Sequence, residues 1–334
     1  MYIIENYSVA IFLCLITMLC WGSWANTQKL SSTKWPFQLF YWDYSLGILL
    51  ITLLLAFTLG STGEAGRSFL DDLFQAEGRY LLYALLGGII FNFANLLLVI
   101  AIDLTGMAIA FPIGIGIALV LGVITNYIDT PVGNPLILFV GVLFVVLAIV
   151  LDALAYKSIL KNDQKTPLKG ILISLVAGVS MGFFYRYVAQ SMSLDFVQPE
   201  VGKLTPYTAL VVFSVGILLS NFVFNSINMY RPITGKPVTY TDYFVLGNSK
   251  LHFIGILGGA IWGLGMSFNI IASEQAGPAV AYGLGQGATM VAAFWGVFIW
   301  KELKELPQSK KWLISAMFIN FLIGLGLIVY SKIA

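Results

Sequence analysis

The feature that most constrains this chain is a series of ten apolar runs, near residues 8–28, 37–60, 80–101, 105–127, 134–155, 168–190, 207–229, 252–273, 277–299 and 312–331, bounded by charge or by Gly and Pro. About 20 mostly apolar residues cross the hydrocarbon core of a bilayer as a helix, so each run has the length of one span. The fold class that follows is an all-α membrane protein of ten transmembrane helices, with the lipid bilayer as its first partner. Hydrophobic residues fill 59% of the 334 positions and charged residues 10%, and the connections left over are too short for a soluble domain. The longest are 61–79, 191–206 and 230–251, and within the first, Phe69-Leu70-Asp71-Asp72-Leu73-Phe74 reads as a short interfacial helix.

Net charge is +2 and the basic residues are spread among loops, so nucleic acid is not expected as a partner. Cys14 and Cys20 lie together in the first run, spaced for neither a disulfide framework nor a zinc site. That run carries no basic residues before it and no small-residue cleavage signal after it, and is read as a retained first span. Counting Lys and Arg in alternate loops gives thirteen on one side and four (Arg67, Arg79, Lys203, Lys332) on the other. The positive-inside bias then predicts a multi-pass protein of the inner (cytoplasmic) membrane with both termini outside.

An internal repeat runs through the chain. A shift of 171 sets Leu86-Gly87-Gly88 on Leu257-Gly258-Gly259, Asp103 on Glu274, Gly106 on Gly277, Ala110-Phe111 on Ala281-Tyr282, and Gly114 and Gly116 on Gly285 and Gly287. A shift of 169 sets Ser45-x-Gly47-Ile48-Leu49-Leu50 on Ser214-x-Gly216-Ile217-Leu218-Leu219. The first and sixth spans match weakly, through Gly22 and Gly182. The expected organisation is residues 1–155 as one five-helix repeat, 156–167 as a cytoplasmic linker and 168–334 as a second five-helix repeat. Five spans is an odd number, so the halves enter the membrane from opposite sides. Such an inverted-topology repeat serves alternating access around a site near the midplane.

Ten spans in two halves resemble the drug/metabolite transporter superfamily. Within it, Cys20-Trp21-Gly22-Ser23-Trp24-Ala25-Asn26-Thr27-Gln28-Lys29, followed by Leu39-Phe40-Tyr41-Trp42-Asp43-Tyr44, resembles the ureide permease family and its bacterial relatives. The resemblance implies a secondary active transporter that takes up a small neutral nitrogenous heterocycle (a ureide, a nucleobase or a related compound) by alternating access with a proton. It also implies no cofactor: plant members carry a long central loop with a nucleotide-binding-like motif, whereas residues 156–167 are short, Lys-rich and without GxxxxGK. Sugar permeases of the glucose, ribose or rhamnose type, and exporters of small metabolites or drugs, are the competing readings.

Polar groups inside a membrane are costly and face a cavity or another helix, so they form the candidate site. Asp43 and Arg186 are the ionisable residues well inside spans, apart from Asp152 near the end of the fifth. Asp43 is the candidate for proton coupling, since a buried carboxyl there would bind and release a proton; the alternatives are a helix cap or a pair with Lys29 or Lys34. Arg186 would donate several hydrogen bonds to a carbonyl-rich solute, or extend to the outer interface. Asn92, Asn95, Asn269 and Gln286 offer the paired donors and acceptors that read amide or imide edges, with glue between helices as the alternative. Trp21, Trp24, Tyr41, Trp42, Trp262 and Tyr282 would supply flat faces for a ring. Trp35, Trp300 and Trp312 are assigned to the interfacial aromatic belts. Gly114, Gly116, Gly285 and Gly287 suit close helix packing.

Other classes fit poorly. The sole histidine, His252, stands beside Lys250 at a span boundary, and no metal-ligand spacing such as HExxH occurs, so neither an enzyme nor a metal site is expected. A channel would need a repeated filter or charged ring, which the sequence does not contain.

Overall fold

The computed structural model describes residues 1–31, 35–159 and 167–334. Among these, ten helices are long and apolar enough to cross a membrane: α1 (Tyr7–Ser31), α2 (Phe37–Phe57), α3 (Gly78–Thr105), α4 (Ile109–Asp129), α5 (Pro135–Lys157), α6 (Leu168–Ser191), α7 (Pro206–Tyr230), α8 (Ser249–Ala276), α9 (Pro278–Ile299) and α10 (Gln308–Tyr330). All ten expected spans are present in order. The helices α3 and α8 run longer than expected, each stopped by a glycine with positive φ, Gly106 at 75° and Gly277 at 84°. That backbone conformation is open to glycine and ends a helix sharply. Most of the linker, with Lys161 and Lys165, lies outside the described residues, as does Lys34.

Both chain ends lie at one end of the bundle. The Met1 amino group donates to Ala65 O at 2.6 Å, and Asn134 N donates to Ser331 O at 2.7 Å. At the opposite, Lys-rich end, Lys29 meets Glu302 at 2.5 Å, and Lys310 Nζ donates to Ser158 Oγ at 3.2 Å. These are called the terminal end and the basic end below. The short helix expected over 69–74 is present as Phe69–Gln75, with Phe69 buried edge-on against Phe57 and Phe74 exposed. Exposed stripes such as Leu46, Leu50, Leu54 and Phe57 on α2 recur once per helical turn and mark the lipid-facing surface.

The principal helix pairs are α2 with α8, α3 with α7, α1 with α8, α3 with α6, α2 with α7, α4 with α6, α1 with α9 and α5 with α10. Two crossings are tightest, and glycine makes both. A Cβ on Gly259 would stand 1.9 Å from Tyr44 O, and one on Gly47 2.1 Å from Ile256 O, where α2 meets α8. Where α3 meets α7, a Cβ on Gly88 would stand 2.0 Å from Phe213 O, and one on Gly216 2.3 Å from Leu85 O. No side chain fits at such distances, so the backbones touch directly, as small residues permit in membrane bundles. Between α2 and α7, Thr52 Oγ1 meets Ser214 Oγ at 2.9 Å, and Asn221 Nδ2 donates to Ser45 Oγ at 3.1 Å. Ser45 and Ser214 are 169 apart, and so are Thr52 and Asn221.

Two expectations need correction. Trp35 is fully buried rather than in a belt, because it packs on Tyr243 and His252 with ring centroids 5.7 and 5.2 Å away. Of the other two tryptophans assigned to the belts, Trp300 is partly exposed at the basic end, donating to Asn26 Oδ1 at 2.6 Å with Lys29 over its ring, and Trp312 is exposed. Gly116 faces open space, so it makes no close contact, while Gly114 abuts α6 at Gly178, Gly285 abuts Trp21 and Gly287 abuts Leu325.

Candidate substrate cavity

A cavity of about 330 Å³ opens between α1 and α9 on one side and α3 and α4 on the other, with α6 and α8 behind it. Its lining passes from Phe91 and Trp262, in the middle of their helices, to Gln28, Asp103 and Met107 at the basic end, where it opens. Two of its walls carry a local irregularity. In α1 it is Trp24, between the segments Tyr7–Ser23 and Ala25–Ser31. In α9 the helix tightens at Gln286 and Gly287, where Gly287 N bonds Leu284 O and Thr289 N bonds Gln286 O, between Pro278–Gly285 and Ala288–Phe294. The backbone stays right-handed helical at both places, with Trp24 N bonded to Cys20 O and Gln286 N to Tyr282 O, and Trp24 and Gln286 line the cavity there.

The floor is aromatic. Phe91 stacks on Trp262 with centroids 4.2 Å apart, and Trp21 lies parallel to Trp262 at 5.7 Å and 9° while donating Nε1 to Trp262 O at 3.3 Å. Toward the terminal end the stack continues into Phe184 and Phe213, which lie 5.2 and 5.8 Å from Phe91. Tyr185 and Tyr282 back this layer, and the Tyr282 hydroxyl donates to Ala118 O at 3.0 Å. These rings are buried and packed on one another, forming an aromatic plug on the terminal side of the cavity. The polar edge of the cavity consists of Gln28, Asn95, Gln286, Thr289 and, at the mouth, Asp103.

Of the residues expected to bind solute, Trp21, Trp24, Asn95, Trp262 and Gln286 come together here. The others do not line the cavity. Tyr41 stands behind it and receives Asn95 Nδ2 on its hydroxyl at 3.1 Å, so it positions Asn95. Trp42 packs on Phe222 and Tyr240 and donates to Met229 Sδ, away from the cavity. Asn92 is spent between helices, donating to Ser220 Oγ at 2.8 Å and Ile217 O at 3.2 Å, and Asn269 ties α8 to α9 through Ala281 O at 2.8 Å. Tyr282 belongs to the plug. Arg186 forms a two-pronged pair with Asp129 (2.6 and 2.8 Å) at the terminal end and reaches the interface, not the cavity.

Asp43 is also outside the cavity, one helix layer behind it and 1% exposed. Its partners are neither Lys29 nor a helix cap. The Tyr243 hydroxyl donates to Oδ1, and His252 Nδ1 lies 3.0 and 3.1 Å from the two carboxylate oxygens. Gly255 makes room for it, since a Cβ there would stand 2.4 Å from Asp43 Cβ. A buried carboxylate is costly unless hydrogen-bonded, and here three helical segments converge to satisfy one.

Sequence reasoning missed Phe91, Phe184, Gln28 and Asp103 as lining residues, and His252 as the partner of Asp43. A signal was present for the first: Phe91 stands 171 before Trp262, so the stacked pair occupies one repeated position. Phe184 likewise stands 160 after Trp24, the offset between Gly22 and Gly182.

The sequence profile of the ureide permease family matches residues 40–169 and 154–331. The chain belongs to the ureide permease family. It is 24% identical to Ureide permease 1 of Arabidopsis thaliana over 390 aligned positions, covering 99% of each chain. Ureide permease 3 of the same plant is 26% identical, with 84% of this chain and 89% of that protein covered. Probable ureide permease A3 of Vigna unguiculata is 22% identical over 83% and 91%. The two profile matches meet at the α5–α6 linker, where the resemblance places the long central loop of plant members. A solved crystal structure at 12% identity shares the fold, with a TM-score of 0.61 over 98% of this chain and 99% of that one. Members of the family are transporters, not enzymes, and this chain is a multi-pass membrane transporter.

Proposed function

We propose that this protein takes up a small neutral nitrogenous heterocycle of the ureide or nucleobase kind across the cytoplasmic membrane, by alternating access and together with a proton. The observation that carries the reading is the cavity: a mid-membrane pocket with stacked rings on its floor and two amides, Asn95 and Gln286, on its wall. Flat faces bind a planar ring, and amides offer both a donor and an acceptor to its N–H and C=O edges. A volume of about 330 Å³ lies at the small end of ligand sites. The names of the Arabidopsis relatives, ureide permeases, support a ureide as the solute.

Alternating access between two inverted five-helix halves is supported by the duplicated contacts, in which exchanging the halves carries the α2–α8 crossing onto α3–α7. This two-by-five arrangement also supports placement in the drug/metabolite transporter superfamily. On this reading the structure is open to the cytoplasm, with the basic end inside and both termini outside. Proton coupling is assigned to Asp43 with His252, the pair of titratable groups at the α2–α8 crossing.

The test is thermal stabilisation of the purified protein by allantoin, uracil, purines, glucose, ribose and rhamnose, because a ligand of the folded state raises the melting temperature. Stabilisation by heterocycles that weakens in Trp21→Ala and Asn95→Ala supports the reading; stabilisation by a sugar alone overturns the solute class.

A further inference from the structure

Asp103 is the one ionisable side chain among the described residues lining the cavity. It stands in the last turn of α3, exposed at the mouth. It also lines an adjoining recess of about 230 Å³ with Gln38, Asn228 and Lys236. Thr234 Oγ1 donates to Oδ2 at 3.1 Å and fixes the carboxylate there. No packing need accounts for a charge at this place, beside the opening of the cavity toward the basic end.

The same position is acidic in the other half. Glu274, 171 residues on, occupies the last turn of α8 at the terminal end, and each acid precedes by three the positive-φ glycine that ends its helix. Glu274 accepts from Phe196 N at 2.6 Å, so on the closed side the acid is held by backbone, and on the open side it faces the entrance.

We propose that Asp103, with Glu274 as its counterpart at the other mouth, determines specificity by charge: solutes bearing a carboxylate are turned away, and neutral solutes rich in N–H groups are admitted. The inference rests on the reading that this cavity is the transport path. A fixed charge at a mouth with low-dielectric walls acts over several ångströms and is screened by salt. For a ureide transporter, it separates an intact neutral ring from its ring-opened, carboxylate-bearing product.

The experiment places a reporter thiol inside the cavity, Ala288→Cys, in a chain carrying Cys14→Ala and Cys20→Ala. It compares labelling rates by a neutral and an anionic methanethiosulfonate reagent of similar size. Replacing Asp103 by Asn is expected to raise the anionic rate relative to the neutral one on the order of tenfold at low ionic strength. Asp103→Glu is expected to keep the original ratio, and salt is expected to narrow the difference between the two variants. A ratio that is the same for Asp, Asn and Glu overturns the proposal. Because the reagents report the mouth directly, this result is independent of whether any ureide stabilises the protein.

Discussion

The two ends of the bundle are built differently. At the terminal end, Arg67 reaches into the loops and gives Nε to Asp72 (2.8 Å) and its other nitrogens to the carbonyls of Pro199 and Lys203 (2.7 and 2.6 Å). Asp72 is fully buried, and its second oxygen accepts from Thr205 N at 2.7 Å. This network joins the α2–α3 loop to the α6–α7 loop, beside the Glu274 closure. At the basic end the corresponding ion pair, Lys29 with Glu302, has side chains 44% and 31% exposed. A buried pair with every lone pair satisfied is costly to break from one side, whereas an exposed pair contributes little. The comparison teaches that the terminal end is held by a buried, multiply bonded network and the basic end by exposed contacts that rearrange cheaply.

The largest effect that would test this contrast is Arg67→Ala. It leaves Asp72 buried without its cation and is expected to cost about 3–5 kcal/mol, read as a lower melting temperature in detergent. A loss below about 1 kcal/mol would remove the distinction between the ends.

The second test asks whether the crossings are equivalent although the ends are not. Gly259→Val and Gly88→Val each drive a side chain into a carbonyl oxygen about 2 Å away and are expected to cost roughly 1–3 kcal/mol or more. Similar losses in the two variants sharpen the picture of one crossing used twice, and a clear difference breaks it.

Next in size is Trp21→Ala, which removes one face of the aromatic floor and is expected to weaken solute binding about threefold to tenfold. Titration calorimetry with the stabilising solute checks it; unchanged affinity would remove Trp21 from the site.

The smallest effect concerns the basic end. Glu302 is partly buried, which by itself favours the neutral acid, but the hydrogen bonds from Lys29 and Tyr156 and the Lys29 charge outweigh this and hold its carboxyl below the usual range. A depressed carboxyl contributes stability that is present above its unfolded value and lost as pH falls through its folded value. The window therefore lies below about pH 4.3. Lys29→Ala is expected to lower stability by less than about 1 kcal/mol at pH 7 and to abolish this acid-limb dependence. Melting curves from pH 3 to 7 check both, and a large loss at neutral pH would make the two ends alike.

The crossings also diverge at one place. Asp43 and His252 face one another where α2 meets α8, while the positions 169 and 171 away hold Val212 and Leu81. The shared backbone contacts thus carry an ionisable pair on one side and an apolar pair on the other, which is why proton coupling is assigned to one crossing alone.

The sequence by itself determined the ten spans, their order and the short helix after α2, and it marked Gly47/Gly216 and Gly88/Gly259 as repeated positions without assigning them a contact. In lipid a backbone must satisfy its own hydrogen bonds, so apolar length dictates a helix with little help from neighbours. Repeated Gly47/Gly216 and Gly88/Gly259 record where two backbones touch, since no side chain is tolerated there. Only the tertiary structure decided which polar side chains share a cavity. Asn92 and Asn95 are one helical turn apart, yet one binds α7 and the other lines the cavity, because rotation about the helix axis and the neighbour on each face set a side chain's surroundings. The pairing of Asp43 with His252, 209 residues away, likewise depends on the α2–α8 crossing. That Trp24 and Gln286, on helices far apart in the chain, line one cavity likewise depends on how α1 and α9 pack against α3 and α4.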